Sequence, residues 1–260
     1  LARGKSRNAS IAQTLEEAEK IAQTEVKEVV LTGVNIGDFG QGGDENFFGL
    51  VQGLDQVEGI ERFRISSIEP NLLSDEIIDF CLNKADRFVP HFHIPLQSGS
   101  DQILEKMRRK YKSALFAERV AQIKSSNPDT CIGVDVIVGF PGETDEDFLT
   151  TVNFLKDLDI SYLHVFTYSE RAATKALDIK PIVPIALRNE RNKILRNLSY
   201  QKLQYFTEAH RGENRKVLFE SVKKTGDGEM EILEGYSDNY IRVTTPYRAE
   251  WSNQIVDWTI

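Results

Sequence analysis

The chain has 260 residues, 40% of them hydrophobic, enough to bury a sizeable core as one large domain or as a large domain with a small one. No apolar run approaches the ~20 residues that span a bilayer, and the polar opening LARGKSRN lacks the apolar core of a signal peptide, so a soluble, cytoplasmic protein without a membrane partner is expected. The net charge of −8 excludes a surface with general affinity for nucleic acid but leaves room for a local basic patch, and Cys81 and Cys131, far apart in apolar surroundings, read as core thiols rather than as a disulfide or a CxxC metal site.

Taken in order, the chain repeats one unit. Thr14 and Glu17 have capping-box spacing for a helix with Leu15, Ala18, Ile21 and Ala22 on one face, and a short apolar strand follows over residues 28–32. The loop GVNIGDFGQGG is glycine-rich but contains no Gly-Lys-Ser/Thr, so it does not support a phosphate-cradling P-loop. A short helix at 50–54 leads to a strand at 63–68, Ser74 caps the next helix, and a strand at 88–95 closes on Gln97-Ser98-Gly99. Helical patterning resumes from Ser100 and from Ser113.

The stretch CIGVDVIVGFPGETDEDF comes next. Val134, Val136 and Val138 alternate with Gly133, Asp135, Ile137 and Gly139, giving a strand with one apolar and one small or polar face. Gly139-Phe140-Pro141-Gly142 breaks the pattern, and Thr144 with Asp147 three residues on reads as a capped helix start. The glycines of this strand either admit a flat ligand against the backbone or only shape the turn. A helix with Phe148, Val152 and Leu155 and a strand at 162–166 complete the series.

Past Thr174 the character changes. Residues 186–211 read as one long helix with Leu187, Ile194, Leu198 and Leu203 as the buried stripe and Arg188, Arg191, Lys193, Arg196, Lys202 and Arg211 as a basic face. From Gly212 period-two patterning with turn signals, including GDG at 226–228, indicates a small antiparallel β module. Tyr236, Tyr240, Tyr247 and Trp251 offer faces for base stacking, with at least two of them expected in the core.

Strands alternating with helices imply a parallel sheet. An open doubly wound sheet and a (β/α) barrel both fit. Polar or glycine residues at the C-terminal end of nearly every strand (Thr32-Gly33, Ser66 to Glu69, Gln97-Ser98, Gly139, Tyr168-Ser169) favour a barrel with chemistry at that rim. The expected architecture is therefore α/β: a partial (β/α) barrel over 1–185 with its first strand missing, a basic linker helix over 186–211, and a β domain over 212–260.

LARGKSR, LTGVNIGDFG, RISSIEP, HIPLQSGSDQILEKMRRKY, GVDVIVGFPGETDEDF, HVFTYSERAATKA and the closing VLFE with GYSDNYIRV together resemble the methylthiotransferase family of radical S-adenosylmethionine (SAM) enzymes, over nearly the whole chain. The resemblance implies SAM as cofactor, a 4Fe-4S cluster on a CxxxCxxC loop, a second 4Fe-4S cluster on an N-terminal domain, and a TRAM domain for the β module. Neither cysteine has the cluster spacing, and the chain opens on Leu1 in a stretch that the family places just after the cluster loop, so an inactive portion of a longer enzyme is expected. The implied reaction begins with reductive cleavage of SAM to a radical that abstracts hydrogen from carbon, followed by sulfur insertion and methylation, and it needs an external electron donor.

By resemblance, Gly33, Val34 and Asn35 hold the SAM amino group, and Ser67, Glu69, Gln97 and Ser98 face its ribose and carboxylate. The backbone of Val136, Ile137, Val138 and Gly139 flanks the adenine, and Arg3 and Arg7 either face the cofactor or a phosphate or are solvated. Ser169, Arg171 and Thr174 match YSxRxxTxA, although Ala172 and Ala173 stand where the family often has Pro and Gly. RISSIEP and FTYSERAATKA resemble the branch acting on threonylcarbamoyl-adenosine rather than the isopentenyl-adenosine or ribosomal-protein branches. Its substrate is the tRNA anticodon stem-loop. Arg171 suits the carboxylate of that substrate, unless it pairs with Glu170. Arg191 and Arg196 are expected to contact the tRNA backbone. A rival from another class is a metal-dependent hydrolase using His91 and His93, two apart on a strand, with His164; it lacks an evident carboxylate after His164.

Overall fold

The computed structural model describes residues 8–33, 35–224 and 231–260, so Arg3, Arg7, Val34 and the GDG turn lie outside the described residues. The first part alternates helix and strand: α1 (Ile11–Ala22), β1 (Glu28–Leu31), α2 (Phe47–Asp55), β2 (Arg62–Ile65), α3 (Asp75–Asp79), β3 (His91–Gln97), α4 (Asp101–Lys106), α5 (Ser113–Ser126), β4 (Cys131–Val138), α6 (Asp145–Asp157) and β5 (Tyr162–Thr167). All five strands are parallel. β1 pairs with β2, β3 with β4 and β4 with β5, and a parallel bridge from Phe63 to Phe88 joins the two groups. After α7 (Ile185–Ala209) come β6 (Asn214–Lys224), β7 (Glu231–Ser237), β8 (Arg242–Pro246) and β9 (Gln254–Thr259), an antiparallel sheet in the order β8-β7-β6-β9.

Among the described residues no helix is long and apolar enough to cross a membrane. The expected caps hold at α3 and α6, where Ser74 and Thr144 accept from Ile77 and Asp147 backbone N–H. At α1 the capping box sits one turn earlier, on Ser10 and Gln13, because a glutamine at the third helical position reaches back to the cap as a glutamate would. β3 starts at His91 rather than Phe88, which keeps only its bridge to Phe63.

The alternation along β4 has structural meaning. Val134, Val136 and Val138 are buried in the main core with residues of the covering helices, whereas Asp135 and Ile137 are partly exposed on the opposite, inner face. That inner face is closed at the N-terminal end of the strands by the β module. Arg62 Nη2 donates to the Lys216 carbonyl at 2.6 Å, Arg64 Nη1 to that of Asp238 at 3.2 Å, and the Tyr240 ring stacks on His91 with centroids 4.4 Å apart. Between them lies a cavity of about 220 Å³, lined by Glu28, Arg64, His91, His93, His164 and Tyr240 among others. Tyr240 is therefore spent on this junction, with Tyr236 stacked on it, and Trp251 packs on Phe219 in the module's own core. Tyr247 is exposed.

The long helix departs most from expectation. Its buried residues are Arg188, Arg191, Leu195, Leu198 and Phe206, while Ile194 and Leu203 are exposed. Leu195 and Leu198 belong to the main core, so α7 packs on the parallel sheet, with Ser199 Oγ accepting from Leu163 N–H and Asn192 Nδ2 donating to the Val165 carbonyl. A stripe headed by two arginines is invisible to a reading that assigns every arginine to solvent; these two turn inward because acidic partners await them.

Candidate functional site

The turn between β4 and α6 is held from several sides. Gly139 N–H donates to Glu143 Oε2 at 2.7 Å, and Arg191 Nη1 lies 2.5 Å from the same oxygen, its Nη2 2.6 Å from Asp145. Burial pushes the Glu143 carboxyl up, and the Gly139 and Arg191 contacts only partly offset it. Lys106 Nζ donates to the Gly142 carbonyl and Gly142 N–H to that of Pro181. Gly139 has φ 74°, and a Cβ there would meet Arg188 Cγ at 2.3 Å; at Gly133 a Cβ would meet the Tyr162 ring at 2.3 Å. Both missing side chains thus make room for protein groups. What remains open at this rim is the inner face of Ile137. Val136 and Val138 point into the core.

At the end of β3 the register slips between Pro95 and Gln97, and Gln97 takes φ 70°, a strained conformation for a residue with a side chain. The slip turns the loop onto α6. Ser98 Oγ lies 3.2 Å from Thr151 Oγ1, which also accepts from Gly99 N–H, and Ser100 Oγ donates to Asp147 Oδ1 at 2.6 Å. Ser98 is fully buried in this dock and does not face the rim; its hydroxyl holds the loop in place.

The ends of β1 and β2 carry the rest of the expected cofactor residues. Gly33 is exposed, and Asn35 donates to Asp38 Oδ2 at 2.5 Å while its own Oδ1 is buried with no hydrogen-bond partner among the described residues. Ser67 is half-buried, and Glu69 pairs with Arg109 at 3.0 Å.

On the inner face below the rim, His93 Nε2 lies 2.9 Å and His164 Nδ1 3.6 Å from Asp135 Oδ1. Strand register explains the meeting, since Asp135 is the direct partner of His164 across β4 and β5. Burial alone would raise the Asp135 carboxyl, but the hydrogen bonds from His164 and His93 outweigh it and hold it far below the usual carboxylate range. This carboxylate precedes His164 in the chain by 29 positions, so its place beside the histidines is visible only in the strand register. His91 does not join the group: its Nε2 meets Tyr162 Oη at 3.1 Å, and burial keeps its imidazole well below the ordinary value. The pair His91 and His93 expected of a hydrolase is therefore not a ligand pair.

Past β5, Ser169, Arg171 and Thr174 are all exposed, and Thr174 Oγ1 donates to the Arg171 carbonyl at 2.8 Å. Ala173 has φ 62°, the left-handed region that a glycine occupies without strain. Glu170 is taken by Arg188, which also donates to the carbonyls of Val183 and Tyr168. Among the described residues Arg171 has no ion-pair partner. On α7, Arg191 is buried in its contacts with Glu143 and Asp145 and cannot touch a nucleic acid as expected; Arg196 and Lys193 are exposed and, with Thr167, Asn189, Asn192 and Asn197, line an open groove.

Residues 1–155 match the family model of the radical SAM superfamily. The threonylcarbamoyladenosine tRNA methylthiotransferase MtaB of Bacillus subtilis is 40% identical over 98% of this chain and 56% of its own length. A tRNA-2-methylthio-N(6)-dimethylallyladenosine synthase of a Thermoanaerobacter species is 34% identical over 88% of the chain and 49% of its own length. The chain thus spans about half the length of the curated relatives it matches. Among solved structures, the coproporphyrinogen III oxidase of Escherichia coli, a radical SAM enzyme, superposes with a TM-score of 0.55 at 16% identity, covering 77% of this chain and 46% of that one. That likeness is one of fold.

Proposed function

The chain belongs to the radical SAM superfamily, and from that premise we propose that it is part of a tRNA methylthiotransferase that places a methylthio group at C2 of threonylcarbamoyl-adenosine beside the anticodon. The observation that carries this reading is the 40% identity, over 98% of the chain, to an enzyme whose name states that modification. On this reading the five parallel strands are a partial (β/α) barrel, residues 186–211 join it to the β module, and residues 212–260 are a TRAM-like domain.

The rim residues fit SAM. Asn35 Oδ1, a buried acceptor without a partner among the described residues, suits the SAM ammonium group, with Gly33 beside it. Ile137, on the inner face, suits an adenine edge, with the backbone of 136–139 behind it; Ser67, Glu69 and Gln97 remain for the ribose and carboxylate. Bound SAM supplies the radical precursor and the methyl group. This chain's residues hold and orient it: the Glu143 and Arg191 clamp fixes the β4 rim, and the Ser98 dock fixes the β3 rim.

The residues here do not fit an iron–sulfur cluster. Cluster ligands are thiolates, whereas Cys81 and Cys131 are buried and protonated, the Cys131 thiol pushed up to about 12 by burial. The clusters of the whole enzyme need other cysteines, and the chain by itself is expected not to cleave SAM under anaerobic reduction with iron and sulfide.

Substrate choice rests on the loop over 168–174. A threonylcarbamoyl group brings a carboxylate, a hydroxyl and amides, which need polar and cationic partners; an isopentenyl group needs an apolar slot. With Glu170 engaged by Arg188, Arg171 is available for that carboxylate, flanked by Ser169 and Thr174. Mass spectrometry of tRNA nucleosides from cells lacking the full-length gene tests the reading. Loss of the methylthio group from threonylcarbamoyl-adenosine supports it, and its persistence with loss from the isopentenyl nucleoside overturns it.

A further inference from the structure

His93, Asp135 and His164 come from three adjacent parallel strands and aim one donor atom each at a common point on the inner face. These three ligand atoms all lie within 4.8 Å of one another, with Asp135 Oδ1 2.9 Å from His93 Nε2 and 3.6 Å from His164 Nδ1. Zinc bonds of ~2.0–2.1 Å in a tetrahedral site put neighbouring donors about 3.3 Å apart, a value that the two measured separations bracket. We propose that this cluster is a binding site for a divalent transition-metal ion of the zinc class, held by two imidazoles and one carboxylate, with its remaining coordination position open to a water or small anionic ligand.

Three features support a site rather than a structural ion pair. Among the described residues Asp135 has no lysine or arginine partner, so its carboxylate oxygen faces only the two imidazoles. Donors are fixed by backbone register rather than by loops: Asp135 pairs with His164 directly, and His93 sits on the neighbouring strand, whose ladder to β4 continues through Pro95 and Asp135. The site is reachable but sheltered. The His164 side chain is 52% exposed whereas that of His93 is 13% exposed, and both line the 220 Å³ cavity closed by the β module. Arg64, which lines the same cavity, is held by Glu28 rather than by Asp135.

The second grouping of possible ligands, Asp129, His210 and Glu213, offers no such opening. Arg215 already lies 2.5 Å from Asp129 and 2.8 Å from Glu213, so a cation occupies the place an ion would take. The proposed site does not depend on the reaction assigned above. It lies on the inner face below the rim where SAM is placed, and would bind its ion with or without SAM.

The test is metal titration of the tag-free 260-residue chain after chelator treatment, with zinc read by competition against a chromophoric chelator and cobalt read by its visible absorption. One zinc per chain is expected, with at least about tenfold weaker binding in His164→Ala and Asp135→Asn and unchanged binding in Glu213→Gln. Because His164 is half exposed, its variant keeps the fold, which circular dichroism checks. Absence of stoichiometric binding, or binding that survives in both His164→Ala and Asp135→Asn, overturns the proposal.

Discussion

Arg191 and Glu143 form a sealed pair: Nη1 lies 2.5 Å from Oε2, and the two side chains are 3% and 2% exposed. The pair joins the end of β4 to α7, because Glu143 also accepts the Gly139 N–H. Removing one member of a buried pair leaves the other charge without compensation. Arg191→Ala should therefore destabilise the fold by about 3–5 kcal/mol, measured by urea unfolding, and Arg191→Met with Glu143→Gln together should cost less than Arg191→Ala alone.

Gly133 is required by a ring rather than by a ligand. Its missing Cβ is where the Tyr162 ring lies, at 2.3 Å. Gly133→Ala should lower stability by about 1–3 kcal/mol through overpacking. Combining it with Tyr162→Leu should recover part of that loss in a double-mutant cycle; equal and additive losses would mean that the ring is not the obstacle.

Acid sensitivity should trace partly to Asp147. Burial alone would raise its carboxyl, but hydrogen bonds from Ser100 Oγ and from Thr144 N–H and hydroxyl hold it below the ordinary value. A folded-state value below the unfolded one of about 3.9 means the stabilisation is complete above about pH 4 and is lost as the pH falls below it. The stability gap between the wild type and Asp147→Asn should thus be constant at neutral pH and shrink below pH 4. A gap that grows on acidification would contradict the assignment.

With Arg191 buried, the exposed cations of α7 nearest to it are Lys193 and Arg196. Arg196→Glu with Lys193→Glu should weaken tRNA binding by the full-length protein and flatten its salt dependence, since both face solvent along one groove. The β module carries 6 Lys and Arg against 9 Asp and Glu, so single charge changes there should matter less. Binding that is equally strong at low and high salt would exclude this contact.

The parallel alternation, the strand–turn–helix at 131–148 and the antiparallel module were legible because hydrophobic period and turn residues are local signals. Thr144 and Asp147 announced α6 for the same reason. What sequence could not convey was pairing at a distance. Arg188 and Arg191 read as solvent-facing until Glu170 and Glu143, 18 and 48 residues away, appeared beside them. Ser98 read as a rim hydroxyl until Thr151 met it from α6. Asp135 and His164 share a register that only strand order fixes, so the carboxylate beside the histidines was overlooked. Gly133 and Gly139 read as admitting a flat ligand or shaping the turn, and the side chains of Tyr162 and Arg188 that fill the space of their missing Cβ atoms come from distant parts of the chain.

Substrate choice can be read from competition between two tRNAs. The full-length protein, reconstituted with its clusters and supplied with SAM and a reductant, would receive equal amounts of tRNA bearing threonylcarbamoyl-adenosine and tRNA bearing isopentenyl-adenosine, with methylthio products counted by mass spectrometry. Methylthiolation of the threonylcarbamoyl nucleoside in large excess is expected, with a loss of that preference in Arg171→Ala as the carboxylate loses its cationic partner. Preferential modification of the isopentenyl nucleoside, or a preference unchanged in Arg171→Ala, would contradict it.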